Sequence, residues 1–126
     1  EFAERVAGVA RMPLMVTGGV RRKAVAQRVI SGPVAMVGLA TALAVEPALP
    51  RLWQAGQDAA VEPIVVGWKN RAFASLAAAS VVKTQLGLLS RGKPTRPGIS
   101  PFVALLTSQL KARRQAKRYR QWVGRA

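Results

Sequence analysis

The spacing of apolar residues changes character twice along this chain, and the changes divide it into elements. From Glu1 to Arg11, Phe2, Val6, Val9 and Ala10 recur at the interval of one helix face. Pro13 then opens Leu14-Met15-Val16, a run too short for a helix and closed by Thr17-Gly18-Gly19, which reads as a strand over roughly 14–16. The segment Arg21 to Ile30 is amphipathic. It sets Ala24, Val25, Ala26, Val29 and Ile30 on one side and Arg21, Arg22, Lys23, Gln27 and Arg28 on the other, and Gly32 falls where a left-handed C-terminal cap is expected. Val34 to Leu39 is continuously apolar, the pattern of a strand covered on both faces of a parallel sheet. The unit predicted is strand, helix, strand.

Beyond Thr41 only helices are expected. Glu46-Pro47-Ala48-Leu49-Pro50 leads into a short helical piece, Arg51 to Ala55, and 58–69 has no firm periodicity and reads as a connecting excursion. Arg71 to Leu89 is Ala-rich, with Phe73, Leu76, Ala79, Val82, Leu86 and Leu89 as its expected buried stripe. A polar loop, 92–98, precedes Ser100-Pro101, an N-cap followed by proline in the first helical position. The last helix is predicted to run to about Trp122. Its apolar positions Phe102, Leu105, Leu106, Leu110 and Val123 give way to Lys111, Arg113, Arg114, Lys117, Arg118 and Arg120.

Composition narrows the chemistry. The chain has 126 residues, half of them apolar, enough for one modest core, and 8 Pro and 11 Gly are too few for a disordered chain. It has no Cys and no His, which excludes disulfides and thiolate chemistry and removes the commonest metal ligand and general base. A reducing cytoplasm is the default expectation. No basic stretch precedes an apolar one, so no secretory signal is expected, and a start at Glu1 without methionine looks cut. The longest nearly uncharged apolar stretch, Pro33 to Val45, is shorter than the ~20 residues of a membrane-spanning helix, and no transmembrane segment is expected. A net charge of +15 attracts nucleic acid and anionic membrane without any specific site.

The glycine-ended strands are the candidate chemistry. A strand running into Gly18-Gly19, then a helix with Arg21-Arg22 in its first turn, would offer backbone amides, a helix N-terminus and two cations to an anion. The second strand ends at Gly38-Leu39-Ala40-Thr41, where small residues allow close approach and the Thr41 hydroxyl can donate. In (β/α)₈ barrels the loops after the seventh and eighth strands often build such a phosphate pocket. The alternative stays open at this level: Gly-Gly as a plain tight turn, Gly38 as relief of crowding, and Arg21 on a solvated helix face or in an ion pair.

The strings Met12-Pro13-Leu14-Met15-Val16-Thr17-Gly18-Gly19-Val20-Arg21 and Ser31 to Pro50 resemble the C-terminal end of the old yellow enzyme family, NAD(P)H-dependent flavin oxidoreductases with an FMN-containing (β/α)₈ barrel. In that family the seventh strand ends in a glycine pair or Gly-Asn. The eighth reads like Val-Gly-Leu-Ala-Arg, followed by an acidic or Asn-Pro-Asp-Leu-Pro tail, here Glu46-Pro47-Ala48-Leu49-Pro50. The resemblance covers about Phe2 to Trp53. It implies an α/β fold, the C-terminal fragment of a TIM barrel with about strands 7 and 8 and their helices over 1–56, and a mainly α-helical extension with a basic tail over 57–126. It further implies FMN as cofactor, NAD(P)H as co-substrate, and an activated alkene or quinone as substrate.

Carried over by position, the resemblance gives FMN phosphate contacts to Gly18 and Gly19 from the seventh strand and to Gly38, Ala40 and Thr41 from the eighth. Thr41 departs from the pattern. The family usually has arginine there, a bidentate charge-assisted donor, where threonine offers one neutral hydroxyl. The family's substrate-holding His/Asn or His/His pair has no counterpart here, and the lone tyrosine, Tyr119, lies in the basic tail. The remainder of the barrel is therefore an expected partner. The isolated chain is expected to be an inactive piece with negligible FMN affinity, and an oligomer is compatible with the reading.

A second class of protein fits the charge. In it the chain is a non-enzymatic cationic helical protein whose segment Lys111 to Arg120, six cations in ten residues, binds an anionic partner. A solvated or intra-enzyme role ranks first for these cations, a membrane surface second and nucleic acid third. Nucleic-acid readers usually interleave aromatics or polar base-reading residues with their cations, and Tyr119 and Trp122 are a thin version of that.

Overall fold

The computed structural model describes residues 2–124, and the chain divides near Pro63 into two compact units, residues up to Pro63 and residues from Ile64. Val61 is part of the first unit's core, so the segment 55–63 belongs to that unit.

The first unit runs α1 (Phe2–Ala7), β1 (Met15–Thr17), α2 (Lys23–Ile30), β2 (Met36–Gly38), α3 (Thr41–Val45) and α4 (Leu49–Gln54). Strand, helix and strand thus follow in the expected order, and β1 and β2 pair in parallel with Met15 opposite Met36, Val16 opposite Val37 and Thr17 opposite Gly38. The expectation of strands covered on both faces is not met. Met15 is 56% exposed and Met36 59%, so these register partners are apolar residues standing in solvent.

Several boundaries differ for local reasons. The first helix is shorter than 1–11 because Gly8, a poor helix former, follows its last turn. Gly32 is not a left-handed cap. The helix closes at Ser31 in right-handed geometry, where the Ser31 amide and hydroxyl both donate to the Gln27 carbonyl at 2.9 Å. The apolar run from Pro33 to Val45 breaks into β2 and the helical turn α3, which periodicity did not separate.

The core of this unit is small. Leu49, at 0% exposure, packs with Ala42 and Val61, and Leu43, Val45, Trp53 and Ala59 close around them. The excursion after α4 is therefore a core element. The Trp53 indole Nε1 donates to the Ala59 carbonyl at 2.8 Å, the Val61 amide donates to the Arg21 carbonyl at 3.1 Å, and Arg22 and Ala60 form an antiparallel bridge. Lys23 Nζ donates to the Trp53 carbonyl at 2.9 Å, which ties α2 to the end of α4.

The second unit is a pair of helices, α5 (Arg71–Leu89) and α6 (Pro101–Val123). Asn70 caps α5, its Oδ1 accepting from the amides of Ala72 and Phe73 at 3.0 and 3.2 Å. The buried face of α5 is Ala77, Ser80, Val81 and Gln85, and the expected stripe is corrected: Phe73, Leu76 and Leu86 are exposed. Ala77 and Ser80 on this face and the buried Ala104 of α6 are small, and a face of Phe and Leu would hold the packed helices further apart. Gln85, fully buried, donates Nε2 to the Arg96 carbonyl at 2.8 Å and accepts from the Arg96 amide at 2.7 Å, which pins the 92–98 loop to α5. Pro101 opens α6 as expected, but the Ser100 side chain makes no capping hydrogen bond.

Among the described residues α5 is long and apolar enough to cross a membrane by length and composition, and only 22% of its apolar window is buried.

Candidate anion site at the strand ends

Parallel pairing sends both strands out of the sheet at the same edge. Gly18-Gly19 and Leu39-Ala40 leave there side by side, past the end of the hydrogen-bonded ladder. Between them lies a depression lined by Thr17, Gly18, Gly19, Val20, Arg21, Gly38, Ala40, Thr41 and Ala42. All five residues singled out in the sequence, Gly18, Gly19, Gly38, Ala40 and Thr41, line this one place.

The glycines are there for two different reasons. Gly18 (φ 107°) and Gly19 (φ 70°) hold backbone conformations that L side chains rarely adopt, and a Cβ on either would meet only open space. They are needed for the turn, not for room. Gly38 is the opposite case, because a Cβ there would stand 3.0 Å from Thr17 Cβ and 3.4 Å from Met15 Sδ. It lets β1 and β2 approach at the rim, which is the crowding role left open by the sequence.

Three cations follow the first strand, and the structure gives each a different task. The Arg22 guanidinium stands 3.8 Å from Glu62 Oε1 in an exposed ion pair, and Lys23 is held by the Trp53 carbonyl. Arg21 lines the depression. Its backbone is fixed by the bond from Val61, and buried Val20 anchors the residue before it. Because α2 begins at Lys23, Arg21 and Arg22 precede the helix instead of forming its first turn. The lining residues thus include turn glycines, two threonines, Thr17 and Thr41, and one arginine, with no carboxylate among them. Such a set suits an anion.

Its size limits what enters. The free space is about 60 Å³ and open to solvent on one side, which suits a small anion such as a phosphate group. Among the described residues no cluster of three His, Cys, Asp or Glu could hold a metal. Sequence reading missed Thr17, Val20 and Ala42 as lining residues. Thr17 carried a usable signal, since parallel register sets it opposite Gly38.

No protein-family model, no curated protein and no solved structure matches this chain.

Proposed function

We propose that residues 1–56 are the last two strand-helix units of an FMN-dependent NAD(P)H:flavin oxidoreductase of the old yellow enzyme type, and that the strand-end depression takes the FMN phosphate. One observation carries the reading: the five residues that the family resemblance names converge at the same edge of a parallel pair. The uncovered methionines add support, because Met15 and Met36 offer apolar strand surface of the kind a neighbouring layer covers in a closed barrel.

The residues fit the phosphate end of the cofactor and nothing more of it. The amides past Thr17 and the Thr41 hydroxyl donate to phosphate oxygens, and Arg21 offsets their charge. FMN, when bound, supplies hydride transfer between NAD(P)H and an activated alkene or quinone. This chain holds one end of it in place. The substrate-gripping pair and the other strands belong to the remainder of the barrel, so the isolated chain is inactive and keeps no FMN through desalting.

An amide titration with inorganic phosphate tests the site. Shifts are expected to concentrate at Thr17–Arg21 and Gly38–Ala42 and to saturate at millimolar phosphate, about 4 kcal/mol of binding. Shifts spread over α6 with none at the strand ends would refute the assignment.

A further inference from the structure

The second unit carries every one of its charges with the same sign. Between Ile64 and Ala126 there are thirteen Lys and Arg and no Asp or Glu, because the chain's five acidic residues are Glu1, Glu4, Glu46, Asp58 and Glu62. No carboxylate of this unit can therefore neutralise the cations of α6. From Gln109 to Gly124 every residue is exposed, so the basic half of α6 has no cover within the unit.

Its apolar residues point to what the cations are for. At about 100° per residue, Phe102, Leu106 and Leu110 fall within one quarter of the helix circumference, and Arg113, Lys117 and Arg120 continue along the same line. Phe102 is 62% exposed, and Leu106 and Leu110 are about half exposed. The partner helix repeats the theme: α5 leaves Phe73, Leu76 and Leu86 in solvent and has the hydropathy of a membrane segment. Apolar side chains and cations on one line gain little from nucleic acid, whose backbone offers nothing for leucines to bury against. An anionic bilayer satisfies both at once, taking the leucines into the acyl boundary and the cations onto headgroup phosphates.

We propose that the α5–α6 hairpin docks on the surface of an anionic lipid bilayer, with Phe102, Leu106 and Leu110 inserted at the interface and Arg113, Lys117 and Arg120 on lipid phosphates. The long stems of Arg and Lys let the same helix line lie flat, since the heads reach water while the methylenes stay among the acyl chains. Tyr119 and Trp122, in ring contact at 6.1 Å between centroids and well exposed, lie on the other side of α6 with Gln115, so the docked helix keeps them in water. The inference rests on the second unit and is independent of the flavin reading.

Co-sedimentation of the full chain with phosphatidylcholine vesicles, with and without phosphatidylglycerol, tests it. Binding is expected only with the anionic lipid. At about 1 kcal/mol per cation near the surface, the triple variant Arg113→Gln, Lys117→Gln, Arg120→Gln should bind roughly 100-fold more weakly, with its helical circular dichroism unchanged. The absence of cysteine makes site-specific labelling simple. An environment-sensitive fluorophore on Leu106→Cys should shift to the blue on anionic vesicles, while the same label on Gln115→Cys, on the opposite side of the helix, should stay aqueous. Any of these results overturns the proposal: undiminished lipid affinity in the triple variant, no blue shift of the label on Leu106→Cys, displacement of the chain from vesicles by duplex DNA at equal phosphate, or resistance to alkaline carbonate extraction, which would make α5 a span.

Discussion

Leu49→Ala is expected to unfold the first unit near room temperature. Leu49 is fully buried at the centre of a cluster whose other buried members, Ala42 and Val61, are smaller. Removing a buried leucine side chain costs about 2–5 kcal/mol, lost transfer energy plus the cavity left behind. Units below about 70–80 residues rarely hold more than 3–5 kcal/mol in a single core. The substitution therefore removes most of what holds α2, α4 and the 58–61 segment together. Amide dispersion should collapse for residues 2–63, and an unchanged thermal midpoint for that unit would show that the core lies elsewhere.

Thr41→Arg is expected to tighten phosphate binding about 10- to 100-fold. Thr41 is the exposed first residue of α3 and lines the depression, so an arginine there has room to fold back over it. A charge-assisted hydrogen bond contributes about 1.5–3 kcal/mol against about 1 kcal/mol for a neutral one, and a guanidinium can make two. The same phosphate titration measures the gain. Equal or weaker affinity would mean that position 41 does not face the anion.

The site was more legible in the sequence than the core, and the reason is physical. Gly18 and Gly19 announce a turn that only glycine adopts without strain, and parallel strands must end at a common edge, so two glycine-ended apolar runs predict their own convergence. The start of α6 at Pro101 was equally readable, whereas the Asn70 cap that starts α5 was not read from the sequence. What else escaped depends on tertiary contact. Val61 joins the core because the Val61 amide finds the Arg21 carbonyl and Trp53 closes on Ala59, and none of this leaves a periodic trace between 58 and 69. The buried face of α5 was misread for the same kind of reason. Ala77, Ser80 and Gln85 are buried by close helix packing and by the bonds to Arg96, while the larger Phe73 and Leu86 drew the hydrophobic reading outward. Gly32 shows the limit of cap rules, since a serine hydroxyl bonded to Gln27 closes the helix before the glycine is reached.

In the proposed reading, the strand-end depression, the uncovered Met15 and Met36, and the departure at Thr41 belong to a phosphate cradle with neutral donors and a single guanidinium. Its proposed setting is a flavin barrel completed by residues outside this chain. The most direct test is the flavin content of the product of the complete reading frame that encodes this chain, purified and desalted. The account predicts a yellow protein with FMN bound, preceded by further strand-helix units that close the barrel, and loss of that colour when Gly18 and Gly19 are both replaced by valine. A colourless product, or an unrelated sequence upstream of Phe2, would contradict it.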